Sequence, residues 1–194
     1  MTRNIDFYFD FISPYSYIGH RRIELQNDKL SFTYKPILLG GLHKLWNITP
    51  QAFIEPKKKF MIMDCEMVAK KLKIDFKFNS KFPLSTVKLM RGCLVLKGRE
   101  LQEYIKLIFN AYWRDDEDIT DNTVLSNLLK KIEINFDDFL KRTEEISIKE
   151  KLKTLTNDAH NKNIFGAPTF VVNNKNFWGQ DRIEFAIEEL NFIS

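Results

Sequence analysis

Both ends of this chain are patterned for β-structure, and the stretch from about residue 49 to residue 143 is patterned almost entirely for helix. That division constrains the fold more than any other feature. Residues 4–11 alternate Ile5, Phe7, Phe9 and Phe11 with mostly polar neighbours, the period of a strand. Ser13-Pro14 then precedes a helical pattern through about Gln26, with apolar Tyr17, Ile18 and Leu25 and a basic triplet His20-Arg21-Arg22. Serine before proline at a helix start reads as N-cap and first turn, where proline's missing N–H costs nothing. A second strand is expected over 30–39, carrying Phe32, Tyr34 and the run Ile37-Leu38-Leu39. At the other end, Gly166 to Val172, an Asn173-Asn174-Lys175 turn and Phe177-Trp178-Gly179 predict a hairpin. A last helix follows from Asp181, with Ile183, Phe185, Ala186 and Leu190 as its apolar positions.

Between these ends the apolar spacing marks a series of helices. Met61, Met67, Val68 and Leu72 define one, residues 86–97 a second and 101–113 a third. Thr120 is expected to cap a fourth, with Val124, Leu125, Leu128 and Leu129 as its buried stripe, and Asn135 or Asp137 to start a fifth. Ser147 and Glu150 have capping-box spacing at the head of a helix ending near His160. The order is β-α-β, a block of helices, then helix-β-β-α, which is an α/β thioredoxin-like fold with a large all-α insertion domain. The expected boundaries are 1–43 and 144–194 for the thioredoxin-like part and 44–143 for the insertion.

Composition excludes several alternatives. With 17 Phe and 44% hydrophobic residues the chain builds a substantial core. The net charge of +4 comes from interleaved basic and acidic residues, without the dense basic stripe of a nucleic-acid binder, although it suits a small anionic ligand. Cys65 and Cys93 form no CxxC and read as core residues. His20, His43 and His160 lack metal-ligand spacing, so no metal is expected. No apolar run is long enough for a membrane span, and Asp6 and Asp10 interrupt any signal-peptide core after Arg3, so the expected location is the cytoplasm.

Three segments carry a family resemblance: Phe11-Ile-Ser-Pro-Tyr-Ser-Tyr17, Phe82-Pro-Leu-Ser-Thr-Val-Lys-Leu-Met-Arg-Gly92, and Gly166-Ala-Pro-Thr-Phe-Val-Val172 with Phe177-Trp-Gly-Gln-Asp-Arg182. Together they resemble 2-hydroxychromene-2-carboxylate isomerases, and the first and last are also similar to kappa-class glutathione transferases and the wider DsbA-like branch of the thioredoxin superfamily. The resemblance implies glutathione as cofactor and a small aromatic-derived molecule as substrate. It also implies a homodimer, for which the sequence offers no decisive exposed stripe. It places Ser13 opposite the glutathione sulfur, with Pro14 and Tyr15 beside it and Asn47 on the tripeptide. The Ala167 backbone would pair with the cysteinyl unit ahead of a cis Pro168, and Gln180 and Asp181 would hold the γ-glutamyl end. Family members carry serine or another small residue at the Gln180 position.

Each position also has an ordinary structural reading. Ser13 at a helix N-terminus is a cap; a thiolate held there would gain from the same free N–H groups and helix dipole, and from a hydroxyl donor. Pro168 reads as an edge-strand proline without the resemblance. Asp181 is a candidate N-cap for the last helix and a candidate receiver of an ammonium group. Lys57-Lys58-Lys59 reads as a solvated helix face, with one lysine available to a carboxylate. Lys88 and Arg91, three apart on one helix face, are candidate anchors for a substrate carboxylate. Tyr112 and Trp113 read as core, while Trp46 and Trp178 fit either a core or a ligand wall.

The expected activity is a glutathione-dependent isomerisation in which the cofactor's thiolate adds to substrate and is expelled unchanged. A kappa-like transferase and a non-redox glutathione-binding module remain alternatives. Dithiol–disulfide chemistry needs a cysteine at position 13 or 16, and both are serine.

Overall fold

The computed structural model describes residues 4–26 and 30–191. Residues 1–3, 27–29 and 192–194, which the expected thioredoxin-like part includes, lie outside the described residues. Four strands form one sheet in the order β2-β1-β3-β4. They are β1 (Asn4–Phe9), β2 (Ser31–Pro36), β3 (Thr169–Val172) and β4 (Lys175–Trp178). β1 pairs parallel with β2 and antiparallel with β3, and β3 pairs antiparallel with β4. The helix α1 (Pro14–Glu24) makes the β1–β2 crossover, and α9 (Ile183–Asn191) follows β4. This is the thioredoxin-like arrangement expected from the order of elements, with helices filling the chain between β2 and β3.

Period-two patterning decides which face of β1 meets which core. Ile5, Phe7 and Phe9 enter the main apolar core, while Tyr8 faces the opposite side with Ile37, Ala159 and Ile164. The β3–β4 loop is two residues long, and Asn173 (φ +50°) and Asn174 (φ +60°) both take the left-handed conformation, which asparagine tolerates and a tight hairpin turn demands.

The helices between β2 and β3 are α2 (Leu39–Leu45), α3 (Glu55–Leu72), α4 (Val87–Val95), α5 (Gly98–Trp113), α6 (Asn122–Lys130), α7 (Phe136–Thr143) and α8 (Ile146–Asn161). Tyr112 and Trp113 are fully buried, as expected, and so is Cys65, with Cys93 nearly so.

Several local expectations are corrected. The second strand stops at Pro36: the ladder ends with the Ile37 N–H on the Phe9 carbonyl at 3.1 Å, after which the Leu38 N–H turns to the Thr156 hydroxyl at 3.0 Å and the Leu39 N–H, at the start of α2, to the Asp10 carboxylate at 2.8 Å. Gly40 and Gly41 hid that helix, being poor helix formers. Asp121, not Thr120, caps α6, accepting from the N–H groups of Thr123 and Val124. Asn135 caps α7 through the N–H of Asp138. No capping box forms at Ser147, which lies inside α8 and turns its hydroxyl to Glu145. On α3 the buried positions are Met61, Cys65 and Ala69, leaving Met67 exposed; on α9, Phe185 is exposed while Ile183 and Ala186 are buried.

Among the described residues no helix is long and apolar enough to cross a membrane, and no group of three or more His, Cys, Asp or Glu side chains is placed to hold a metal ion.

His20 sits in the core with its Nδ1 2.7 Å from the Tyr34 hydroxyl and its ring against Phe109. Burial pushes its imidazole down to about 4 from the ordinary 6.5. The unfolded chain therefore binds a proton here that the folded chain does not, and stability falls as pH drops through the window from 6.5 to about 4. Denaturant unfolding should show wild type losing up to about 3 kcal/mol across that window from this group, and His20→Phe should lose that part of the slope.

Candidate functional site

Ser13 is held at the head of α1 by two side-chain hydrogen bonds. Its Oγ accepts from the N–H of Ser16 at 3.1 Å and donates to the carbonyl of Ala167 at 2.9 Å. The N-cap reading is thus observed in full, and the hydroxyl also ties α1 to the loop entering β3. Pro14 occupies the first helical position. The Tyr15 N–H finds no acceptor among the described residues, so it remains an unspent donor at the positive end of the helix.

The Ala167–Pro168 peptide bond is cis, and the Pro168 carbonyl accepts from Gly179 N–H at 2.9 Å. That bond brings the end of β4, and Gln180 and Asp181 after it, alongside Ser13. Gln180 is nearly buried, and its Oε1 accepts from Arg22 of α1 at 2.9 Å; Arg22 also pairs with Glu184. Asp181 does not cap α9. A turn of 3₁₀ helix over Gln180–Arg182 intervenes, headed by Gly179 at φ +110°, and the Asp181 carboxylate instead accepts from Arg182 at 2.8 Å.

These residues line a cavity of about 1,020 Å³ that also reaches the inner face of α3. The thioredoxin-like wall contributes Ser13, Pro14, Tyr15, Ala167, Pro168, Gln180 and Asp181. The opposite wall contributes apolar Phe53, Met61, Val68, Leu72, Phe82 and Pro83, with Lys57 and Lys71 of α3. Across it the Tyr15 hydroxyl donates to Asp64 at 2.8 Å. Burial, with Cys65 and Asp64 alongside, pushes the Tyr15 phenol up, so it stays protonated. Burial pulls the His43 imidazole down, so the α2 wall presents a neutral ring. A second cavity, of about 450 Å³ beside β2 and α5, contains none of the expected site residues.

The structure gathers every expected cofactor contact except Asn47. That residue follows α2 in the left-handed conformation (φ +53°), and its N–H and that of Ile48 bond back to the carbonyls of Lys44 and His43. This closes the helix by a Schellman motif. Its neighbours Ile48 and Thr49 line the cavity. Lys88 and Arg91 are not brought to the cavity: Lys88 reaches Asn122 at 3.1 Å and Arg91 pairs with Glu144 at 3.0 Å. Of the lysine triplet, Lys57 lines the cavity, Lys58 does not, and Lys59 pairs with Glu55.

Sequence reasoning missed Asp64, Arg22 and Lys71 as site residues. Asp64 gains its meaning only from Tyr15, 49 positions away; Arg22 was visible as part of a basic triplet, but its partners lie beyond residue 179. Trp178 fits a ligand wall: its half-exposed indole lines the cavity, crosses Gly166 and packs beside Phe165 with ring centroids 4.9 Å apart.

The family model of the DSBA-like thioredoxin domain matches residues 4–191. The chain is 26% identical over 190 residues to a 2-hydroxychromene-2-carboxylate isomerase of Sphingobium xenophagum, covering 95% of this chain and 96% of that one. It is 25% identical to glutathione S-transferase kappa 1 of Caenorhabditis elegans, covering 96% and 90%. Its backbone superposes on a solved 2-hydroxychromene-2-carboxylate isomerase with a TM-score of 0.88 at 22% identity, covering 98% of this chain and 95% of that one.

A Cβ at Gly166 would stand 2.5 Å from Nε1 of Trp178. Gly166→Ala should therefore push the indole off the cavity mouth and shift the tryptophan emission, with no shift in a Trp178→Phe background. Because the indole's outer face is in solvent, unfolding stability should change by no more than about 1 kcal/mol.

Proposed function

Because the chain belongs to the family of DSBA-like thioredoxin domains, we propose that its large cavity binds glutathione and uses the bound thiolate to isomerise an aromatic-derived carboxylate of the 2-hydroxychromene-2-carboxylate type. The observation that carries this reading is Ser13 at the head of α1, hydrogen-bonded to the Ala167 carbonyl beside a cis proline, where a redox enzyme of this fold would need a thiol. The isomerase and kappa transferase relatives, matched over nearly their whole lengths, support it.

In this reading glutathione's sulfur lies against Ser13, with Gln180, Asp181 and the Ala167 backbone along the tripeptide. The sulfur accepts from the Tyr15 N–H and from the Ser13 hydroxyl, whose proton turns from the Ala167 carbonyl toward the incoming charge. Both donors and the helix dipole favour thiolate over thiol. Bound glutathione would supply a nucleophilic thiolate: once the substrate's hemiketal ring opens, its C–O bond breaking as the hydroxyl proton passes to the ring oxygen and a ketone forms, reversible addition to the conjugated double bond would let that bond rotate and would return the thiolate unchanged. No atom is gained or lost and no electron is transferred. The apolar wall of α3 and Phe82 receives the ring. A cytoplasmic location, where glutathione is kept reduced, and a homodimer like those of the resembling family belong to the same proposal.

A kappa-like transferase is the second reading, favoured by the relative of that name and by the size of the cavity. It differs in its product, which retains sulfur, so mass analysis of the product separates the two.

Ser13→Ala removes one hydrogen bond to a charged sulfur and should raise the pKa of the bound thiol by about one to two units. Turnover at neutral pH should fall by about ten- to a hundredfold, while glutathione affinity changes less, since the remaining tripeptide contacts persist. Ser13→Cys should not restore turnover, because a protein thiol there forms a mixed disulfide with glutathione. Titrating ultraviolet thiolate absorbance with glutathione bound tests this directly. Equal thiol pKa values in wild type and Ser13→Ala would reduce Ser13 to a helix cap.

A further inference from the structure

β1 ends at Phe9, so the three residues that connect it to Ser13 lie beyond the sheet ladder and must be fixed by other means. The Phe11 carbonyl accepts from Nε1 of Trp113 at 2.8 Å, and the Phe11 N–H meets Sδ of Met90 at 3.4 Å. The stronger hold is Asp10, whose carboxylate is almost wholly buried, at 2% exposure. Its Oδ1 accepts from the Ile12 N–H at 3.1 Å and the Thr86 hydroxyl at 2.6 Å, and its Oδ2 from the Leu39 N–H at 2.8 Å. Its own carbonyl accepts from the Ser13 N–H at 3.1 Å. One carboxylate therefore joins the segment carrying Ser13, the first residue of α2 and the residue that precedes α4.

Two features mark this as more than packing. A buried carboxylate is costly unless several donors face it, and an apolar side chain would fill the same space without that cost. Thr86 also stands at the N-cap position of α4 but makes no capping bond to its own helix. Threonine there ordinarily stabilises its helix by accepting a backbone N–H. Here its hydroxyl donates instead to a group 76 positions away, on the segment that presents Ser13.

We propose that Asp10 and Thr86 are positioning residues for Ser13. Their hydrogen bond holds residues 10–13 against the helical segment so that the Ser13 hydroxyl meets the Ala167 carbonyl at the cavity. The bond to Leu39 carries the same constraint into the α2 wall, where Leu39, Gly40 and His43 line that cavity. The effect on reaction rate rests on the glutathione-dependent function proposed above; the positioning itself does not.

Thr86→Val removes the donor and keeps the shape, and Thr86→Ser returns the donor. Backbone amide exchange at Ile12, Ser13 and Leu39 in the ligand-free protein should accelerate by about tenfold in Thr86→Val, the equivalent of one hydrogen bond to a charged group. Since misplacing a reacting group by about 1 Å costs on the order of a hundredfold, kcat should fall by about ten- to a hundredfold, with KM for glutathione changing by less than about threefold. Thr86→Ser should return exchange and kcat to within about twofold of wild type, a rescue that loss of packing alone would not show. Asp10→Asn, which cannot accept from all three donors, should reproduce the Thr86→Val pattern and serves if that variant fails to fold. Unchanged exchange at Ile12 and Ser13, or accelerated exchange with kcat intact, would overturn the proposal. Absence of glutathione turnover in the wild type would sink the proposed function alone, and the exchange rates would still decide the positioning role.

Discussion

The hydrogen bond from the Ser13 hydroxyl to the Ala167 carbonyl spans 154 positions of sequence, and the architecture of the site depends on it. It requires β1 to lie next to β3, which in turn requires the helical stretch between β2 and β3 to leave the sheet and return. The sheet order supplies that adjacency, and the Phe7–Phe170 ring contact at 5.1 Å packs the two strands together just behind it. The same bond brings the N-terminus of α1, with the unspent Tyr15 N–H, against the loop of Ala167 and Pro168 that lines the cavity. In the function proposed above, the tripeptide would lie along that loop and its sulfur at the helix N-terminus.

The two walls of the cavity differ in chemistry because they come from different parts of the chain. The thioredoxin-like side is made of backbone edges, a hydroxyl and the Gln180–Arg22 pair, suited to a polar, charged ligand of defined length. The side built from α3 and Phe82-Pro83 is mainly apolar, with lysines toward its ends and Asp64 tied to Tyr15. In the proposed chemistry that wall receives the conjugated substrate, so both parts of the fold are needed. Serine at positions 13 and 16 removes the dithiol route, and the two cysteines are sealed in the core, where burial raises both thiols.

Much of this arrangement was legible in the sequence, and the failures have physical causes. β1 and the terminal hairpin were readable because aromatic alternation and the Asn173-Asn174 turn are local signals. The N-cap at Ser13 was readable because a serine followed by proline at a helix start constrains the backbone within four residues. The short helix α2 was not, since its start depends on Asp10, 29 positions upstream, and its two glycines argue against helix. Asn47 was assigned to a ligand on resemblance, whereas its backbone ends α2; an asparagine two residues past a helix offers the same signal for either role. Lys88 and Arg91 shared a helix face, as their spacing required, but spacing carries no information about which neighbour that face meets, and Asn122 and Glu144 meet it. Asp64 shows the same limit in reverse, because nothing near it in sequence announces Tyr15 as its partner.

The central claim is that an anionic sulfur belongs at the head of α1, held by Ser13. The most direct measurement is a crystal structure of the protein with glutathione. The account predicts the sulfur within about 3.5 Å of both Ser13 Oγ and the Tyr15 backbone nitrogen, with the tripeptide running along Ala167 toward Gln180 and Asp181. Glutathione bound elsewhere in the cavity with its sulfur away from Ser13, or no binding at millimolar ligand, would contradict it.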